Sequence, residues 1–238
     1  MMLKNILEYT NKWMIDLSHL VFPNICLICE KELINKRKFV CSFCENEFNY
    51  TFFEKYSEPS VLDELFWGRV KLEEAYSYLF FQKGKKEQNF IHALKYNDKK
   101  EIGYFFGNKI ATVLMEGNKF KDVDALIPVP LHYKKQFKRG YNQSKAIADG
   151  ISDVFNVEVD NSFLIRSINS DTQTKNNKAS RWDNVQNVFD LNNYKKYKHV
   201  VIVDDVITTG ATLEVIISMI NKNYPEIRVS VISLALAK

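Results

Sequence analysis

The sequence predicts an α/β fold built on a mostly parallel sheet, and three observations carry that reading. Beyond about residue 70, short β-branched or aromatic runs alternate with longer segments whose apolar residues recur three and four apart. The run His199–Val203 is nearly continuous in apolar residues, as in a strand covered on both faces. The strand, helix, strand rhythm calls for parallel pairing through crossover helices. In chain order, strands are expected at 74–81, 124–130, 162–167, 199–205 and 228–237. Helices are expected at 85–97, 101–116, 142–155, 180–189 and 212–221. The strand over 124–130 ends at its prolines, Pro128 and Pro130.

The region before this pattern is organised differently. Residues 1–22 space Ile6, Leu7, Met14, Leu17, Leu20 and Val21 as an amphipathic helix, but Lys4, Glu8, Lys12 and Asp16 interrupt it. Those charges exclude a secretory core and a membrane span. A packing helix is expected, with a helix lying on the inner face of the membrane as the alternative, and the cytoplasm as the compartment. All four cysteines fall in two C-x-x-C pairs, Cys26 with Cys29 and Cys41 with Cys44. In a reducing compartment that spacing points to four thiolates around one zinc ion rather than to disulfides. A closed thiolate shell leaves no position for substrate, so the metal is structural. The aromatic stretch 46–70 has no Gly/Ser run and reads as a connector that packs. The chain thus divides into a helix at 1–22, a zinc ribbon at 23–58 and a larger domain at 70–238. At 238 residues, 46% hydrophobic and 26% charged, it is an ordinary globular chain, and a net charge of +4 does not by itself argue for nucleic acid.

Chemistry concentrates at 204–212. Asp204 and Asp205 emerge at the carboxyl end of the 199–205 strand, where ligands of parallel sheets bind. Two adjacent carboxylates repel, so they must meet solvent, a cation or hydroxyl donors, and a ribose diol supplies such donors. Val206 and Ile207 lead into Thr208, Thr209, Gly210, Ala211 and Thr212, which offer hydroxyls, a glycine for close approach and the N-terminus of the next helix. Unpaired N–H groups and the helix dipole attract phosphate there. A plain strand-to-helix turn would explain the threonines and glycine but not the two acids. The chain contains neither G-x-x-x-x-G-K-[ST] nor G-x-G-x-x-G, which removes the P-loop and dinucleotide fingerprints. A phospho-acceptor aspartate would leave residues 208–212 without a purpose.

The stretch "VIVDDVITTGATL" (201–213) resembles the 5-phosphoribosyl 1-pyrophosphate (PRPP) motif of type I phosphoribosyltransferases. "HALKYND" (92–98), "LIPVPLH" (126–132), "KRGYNQS" (138–144), Arg166 with Thr172 and Gln173, "SRWDNVQNVF" (180–189) and the four-cysteine ribbon resemble the competence protein ComF family in order. The resemblance covers nearly the whole chain. It implies a type I phosphoribosyltransferase fold: a mostly parallel five-stranded sheet with helices on both faces, plus a small hood and an N-terminal zinc ribbon. Asp204 and Asp205 would hold the ribose 2′ and 3′ hydroxyls, and Thr208 through Thr212 the 5-phosphate. Val129, Pro130 and Leu131 would form the pyrophosphate loop, although proline removes an N–H donor from it. Magnesium would accompany PRPP. Lys134, Lys135, Lys138 and Arg139 lie just beyond, with Arg139 the preferred contact and a solvated basic turn the plain alternative. Arg166 and Arg181 are further candidates to close over the site. His132 stands beside the loop, whereas His92 reads as a packing or capping residue.

Three functions remain open on these residues. A pentosyltransferase would pass phosphoribosyl from PRPP to an unknown acceptor. A regulator would bind PRPP without turnover. A DNA-uptake factor would handle single-stranded DNA beside a competence helicase or channel protein, through "YKKQFKRGY" and "KKYK".

Overall fold

The computed structural model describes residues 23–33, 39–82, 84, 87–96, 99–166, 188–192 and 197–237. Residues to Phe48 and residues from Asn49 form two compact units. In the first, Ile25 bridges Glu32 in antiparallel fashion, and Glu30, at a φ of 59°, turns the chain so that its N–H meets the Cys26 carbonyl at 3.0 Å. Helix α1, Ser42–Asn46, starts at Cys41, whose sulfur accepts from the Cys44 N–H as a cap. The expected helix at 1–22 lies outside the described residues.

The second unit begins with packed connectors, a 3-10 turn at Phe53–Lys55 and a short helix α2, Val61–Glu64. A reciprocal capping box between Ser60 and Asp63 starts α2. Leu62 and Phe66 are buried in the main core, so this stretch does pack. Then follow β1 (Ala75–Phe81), α3 (Glu87–Tyr96), α4 (Lys100–Glu116), β2 (Ala125–Pro128), α5 (Tyr133–Arg139) and α6 (Gln143–Phe155). The chain continues through β3 (Glu158–Val159), β4 (Leu164–Arg166), β5 (Phe189–Leu191), β6 (His199–Ile207), α7 (Ala211–Asn223) and β7 (Arg228–Ala237).

Five strands form one parallel sheet in the order β1-β7-β6-β2-β3. Strand β6 lies at its centre, with Val200 to Val203 fully buried. Val200 and Ile202 share a core with Ile216, Ile217 and Ile220 of α7, while Val201 and Val203 point to the other face by the strand's period of two. Helix α6 packs against β6 and β2, and most extensively against α4. Glycines set that helix contact: a Cβ on Gly107 would lie 2.1 Å from the Ile147 carbonyl oxygen, and one on Gly150 2.1 Å from that of Tyr104. The helices therefore touch backbone to backbone.

Two local expectations are corrected. The strand expected over 162–167 exists, but it pairs antiparallel with β5 in a separate two-stranded sheet, and the parallel edge strand is the two-residue β3. The helix expected over 180–189 falls outside the described residues up to 187, and its last residue, Phe189, opens β5. Phe189 is buried against the core, and the Arg166 guanidinium lies 5.3 Å from its ring centroid. Extended pairing and burial outweigh a helical pattern there.

Candidate functional site

The site sits where chain direction across the sheet reverses. From β2 the chain steps outward to β3, whereas from β6 it steps the opposite way to β7. The carboxyl ends of β2 and β6 thus open a crevice between diverging connections, the ligand position of open α/β sheets. Strand β6 brings Asp204 and Asp205 to its carboxyl end, and pairing with Ser233 fixes the register of Asp204.

Each acid is held separately. Asp204 accepts from the Ser144 hydroxyl at 3.1 Å and from the Asp205 N–H at 2.8 Å, both at its Oδ1. Asp205 accepts from the Val206 N–H at 2.8 Å at Oδ1 and pairs through Oδ2 with Lys95 Nζ at 3.3 Å. Burial first, then the neighbouring Asp205 carboxylate, push Asp204 up to about 7. Both acids retain unfilled lone pairs, notably at Asp204 Oδ2, so the pair can accept from two hydroxyl groups.

Beyond Ile207, which is buried, Thr208 and Thr209 are exposed and Gly210 turns the chain at a φ of 73°. A side chain at Gly210 would be strained, and its Cβ would meet Leu65 Cδ2 at 2.9 Å. Helix α7 follows without a side-chain cap. The Ala211 N–H meets Thr209 Oγ1 at 3.5 Å, and a small cavity of about 40 Å³ is lined by Asp204 and by residues 206–213.

The β2 side contributes differently from the expected pyrophosphate loop. Val129 is buried and gives its N–H to the Val203 carbonyl at 2.9 Å, and Pro130 has no N–H. Among the three loop residues, those two thus offer no backbone donor to a ligand. Asn142 ties the same loop down: its Nδ2 donates to the Val129 carbonyl at 3.0 Å while its Oδ1 caps α6. The basic residues 134, 135, 138 and 139 form helix α5 rather than a turn, ended by Gly140 at a φ of 77°. Arg139 donates to Gln143 Oε1 at 2.8 Å, and His132 caps α5 by accepting from the Lys134 N–H at 3.2 Å. His92 is exposed on α3. Arg181, Thr172 and Gln173 lie outside the described residues.

The geometry also shows residues to which the sequence alone assigned no role. Lys95 and Ser144 reach the acid pair from α3 and α6, and Tyr141 donates its hydroxyl to the Leu94 carbonyl, joining the end of α3 to the α5–α6 turn. All lie within "HALKYND" and "KRGYNQS", so the motifs were the available signal.

In the first unit, the sulfurs of Cys26, Cys29, Cys41 and Cys44 all lie within 4.8 Å of one another. Cys29 Sγ and Cys41 Sγ are 3.7 Å apart, close to the roughly 3.8 Å edge of a tetrahedron with metal–sulfur bonds of about 2.3 Å. Burial alone would raise the Cys26 thiol, but N–H groups of Cys29, Cys41 and Ile28 outweigh it and bring it down to about 7. The cluster could bind a zinc ion.

Residues 103–238 match the family described as "Phosphoribosyl transferase domain". The chain belongs to that phosphoribosyl transferase family. The chain is also similar to "Competence protein F" of Haemophilus influenzae, 36% identical over 102 residues, which cover 42% of this chain and 44% of that protein. It is 28% identical over 136 residues to "DNA utilization protein YhgH" of Escherichia coli K12, covering 56% and 60% of the two chains. To "Competence protein ComFC" of Bacillus subtilis it is 33% identical over 89 residues, covering 37% and 34%. These relatives support the ComF family within the phosphoribosyl transferases, and the chain spans about half the length of the first curated relatives it matches.

The acid pair of this phosphoribosyl transferase domain carries a stability cost. Because the folded-state value of Asp204 lies above its ordinary 3.8, the ionised group subtracts stability that is lost in full above about pH 7 and returns as pH falls toward 4. Asn in its place keeps Oδ1 as acceptor for Ser144 and the Asp205 N–H. Asp204→Asn is therefore expected to raise the melting temperature at pH 8 by about 2–6 °C, with the gain shrinking toward pH 4. Calorimetric melts across that range check it, and a loss of stability at pH 8 contradicts it.

Proposed function

We propose that the chain binds PRPP and transfers its phosphoribosyl group to a nitrogen nucleophile, acting in DNA uptake. One observation carries the reading: two adjacent carboxylates stand near the carboxyl end of the central strand, and two residues further on the Thr208–Thr212 loop opens helix α7. Asp204 and Asp205 accept the ribose hydroxyls, and the loop and α7 N–H groups hold the 5-phosphate. The anomeric C–O bond then breaks, its electrons leave with diphosphate, and the acceptor nitrogen bonds to C1 and releases its proton to solvent. Magnesium bound together with PRPP would supply charge neutralisation for the diphosphate. The chain's part is to fix the sugar so that the cationic transition state forms in place. With Val129 and Pro130 giving no backbone donors, the basic side chains of α5, which follows this loop in the chain, are assigned to the diphosphate. The names of the relatives, which speak of competence and DNA utilization, support the DNA-uptake setting.

Calorimetry with magnesium and PRPP tests the site. The wild type should bind, and a chain carrying both Asp204→Asn and Asp205→Asn should lose about tenfold or more in affinity. Equal affinity would sink the ribose assignment. Diphosphate release in the presence of ammonia or nucleobases separates enzyme from regulator: binding with no release for any acceptor leaves a PRPP-responsive regulator.

The cysteine cluster is assigned to structural zinc. One zinc per chain is expected by elemental analysis. Cys41→Ser should abolish it and unfold the first unit, seen as new proteolysis before residue 49, while PRPP binding persists. Zinc retained at full stoichiometry after Cys41→Ser would refute the four-thiolate site.

Single-strand binding is a second reading, favoured by α5. Phe137 is 93% exposed, beside Lys134, Lys135 and Lys138 on a seven-residue helix. An exposed aromatic ring among cations is a stacking platform for bases. An oligo-dT probe should bind with an affinity that falls steeply with salt, and Phe137→Ala should weaken it about tenfold. Affinity unchanged by salt or by Phe137→Ala would exclude this role for α5.

A further inference from the structure

Lys95 makes an ion pair with one of the two carboxylates while belonging to neither the 201–213 motif nor the loop after β2. It stands in the last turn of α3, where a cation is favoured by the helix dipole, and its side chain is largely buried, at 24% exposure, against 16% for that of Asp205. Several contacts fix its position. Phe90 of α3 stacks on Phe106 of α4 with centroids 4.8 Å apart, Leu94 is fully buried, and Tyr141 takes the Leu94 carbonyl as acceptor. The turn that presents Lys95 is thus bolted to the same α5–α6 connection that presents Ser144. The two acids are clamped from two sides, Ser144 on Asp204 Oδ1 and Lys95 on Asp205 Oδ2.

We infer that Lys95 is a positioning residue for recognition of a cis sugar diol: it holds the Asp205 carboxylate where it and Asp204 can accept from two neighbouring hydroxyls at once. The inference rests on the phosphoribosyl reading and adds a residue and a stereochemical demand to it. Two geometric facts support it. The Val206 N–H bonds Asp205 Oδ1 at 2.8 Å and the Lys95 ammonium faces Oδ2 at 3.3 Å, so both oxygens of the carboxylate are engaged from different sides. Lys95 also brings the formal charge of the acid pair from minus two to minus one, which lessens its repulsion of an anionic sugar phosphate. Without the ammonium group Asp205 keeps only the Val206 N–H at Oδ1, its Oδ2 loses its anchor, and a site with a loosened second point distinguishes one sugar configuration from another less well.

The test uses two sugars of equal charge and composition, ribose 5-phosphate and arabinose 5-phosphate, which differ only at C2. The second cannot present a cis 2,3-diol. Affinities are measured by calorimetry for the full chain, for Lys95→Met, which keeps most of the aliphatic stem, and for Lys95→Arg. The wild type should prefer ribose 5-phosphate by about tenfold or more, the value of a hydrogen bond to a charged group. In Lys95→Met the preference should collapse to about twofold or less, and in Lys95→Arg it should be restored. A residue that merely supports the fold would lower both affinities together and leave their ratio unchanged, which would overturn the inference. Loss of preference in the wild type itself would instead overturn the ribose reading. Preference intact in Lys95→Met alongside a discriminating wild type would overturn the Lys95 role alone.

Discussion

Two carboxylates on consecutive residues repel one another, and much of the second unit is arranged around holding that pair near the carboxyl end of its central strand. Strand β6 can carry Asp204 and Asp205 to an edge because its four preceding residues are fully enclosed and locked between β7 and β2. The acids stay in place because helices from both earlier parts of the chain reach them, α6 through Ser144 and α3 through Lys95. Burial and the neighbouring Asp205 carboxylate both disfavour ionised Asp204, which is what this arrangement costs. Functional sites commonly hold groups in states that an unconstrained fold would avoid.

Strand β6 and its loop were legible in the sequence because everything they need is local. A β-branched run, two acids, threonines and a glycine lie within fifteen residues, and the helix after them declares itself by its spacing. The rest of the sheet followed from the alternation of elements. Strand β3, by contrast, has two residues and no periodicity to read, and it exists because Glu158 and Val159 lie beside Ala125 and Leu126. The pairing of β4 with β5 joins segments more than twenty residues apart, and only burial of Phe189 decides that its segment is extended.

The site residues divide along the same line. Asp204 and Asp205 were nameable because they directly follow a buried apolar run, which the other adjacent acids, Asp63–Glu64 and Glu73–Glu74, do not. Lys95 and Ser144 were not, since a lysine in a helix and a serine near a helix start are ordinary until the chain folds them against the pair. Helix α5 was hidden by its charge: its exposed face gives no apolar stripe, and its start depends on the His132 ring as a cap. Proline at position 130 made one missing N–H in the loop after β2 readable, whereas the engagement of the Val129 N–H with the Val203 carbonyl depends on how β2 pairs with β6.

The glycine contact between α4 and α6 bears on how this chain can change over time. Gly107 and Gly150 let two backbones touch, and Ser144 rides on the first turn of the same α6. Any side chain at either glycine would wedge the helices apart and swing that hydroxyl away from Asp204. Two glycines that never touch the acid pair thus set, through the backbone, where the Ser144 hydroxyl stands.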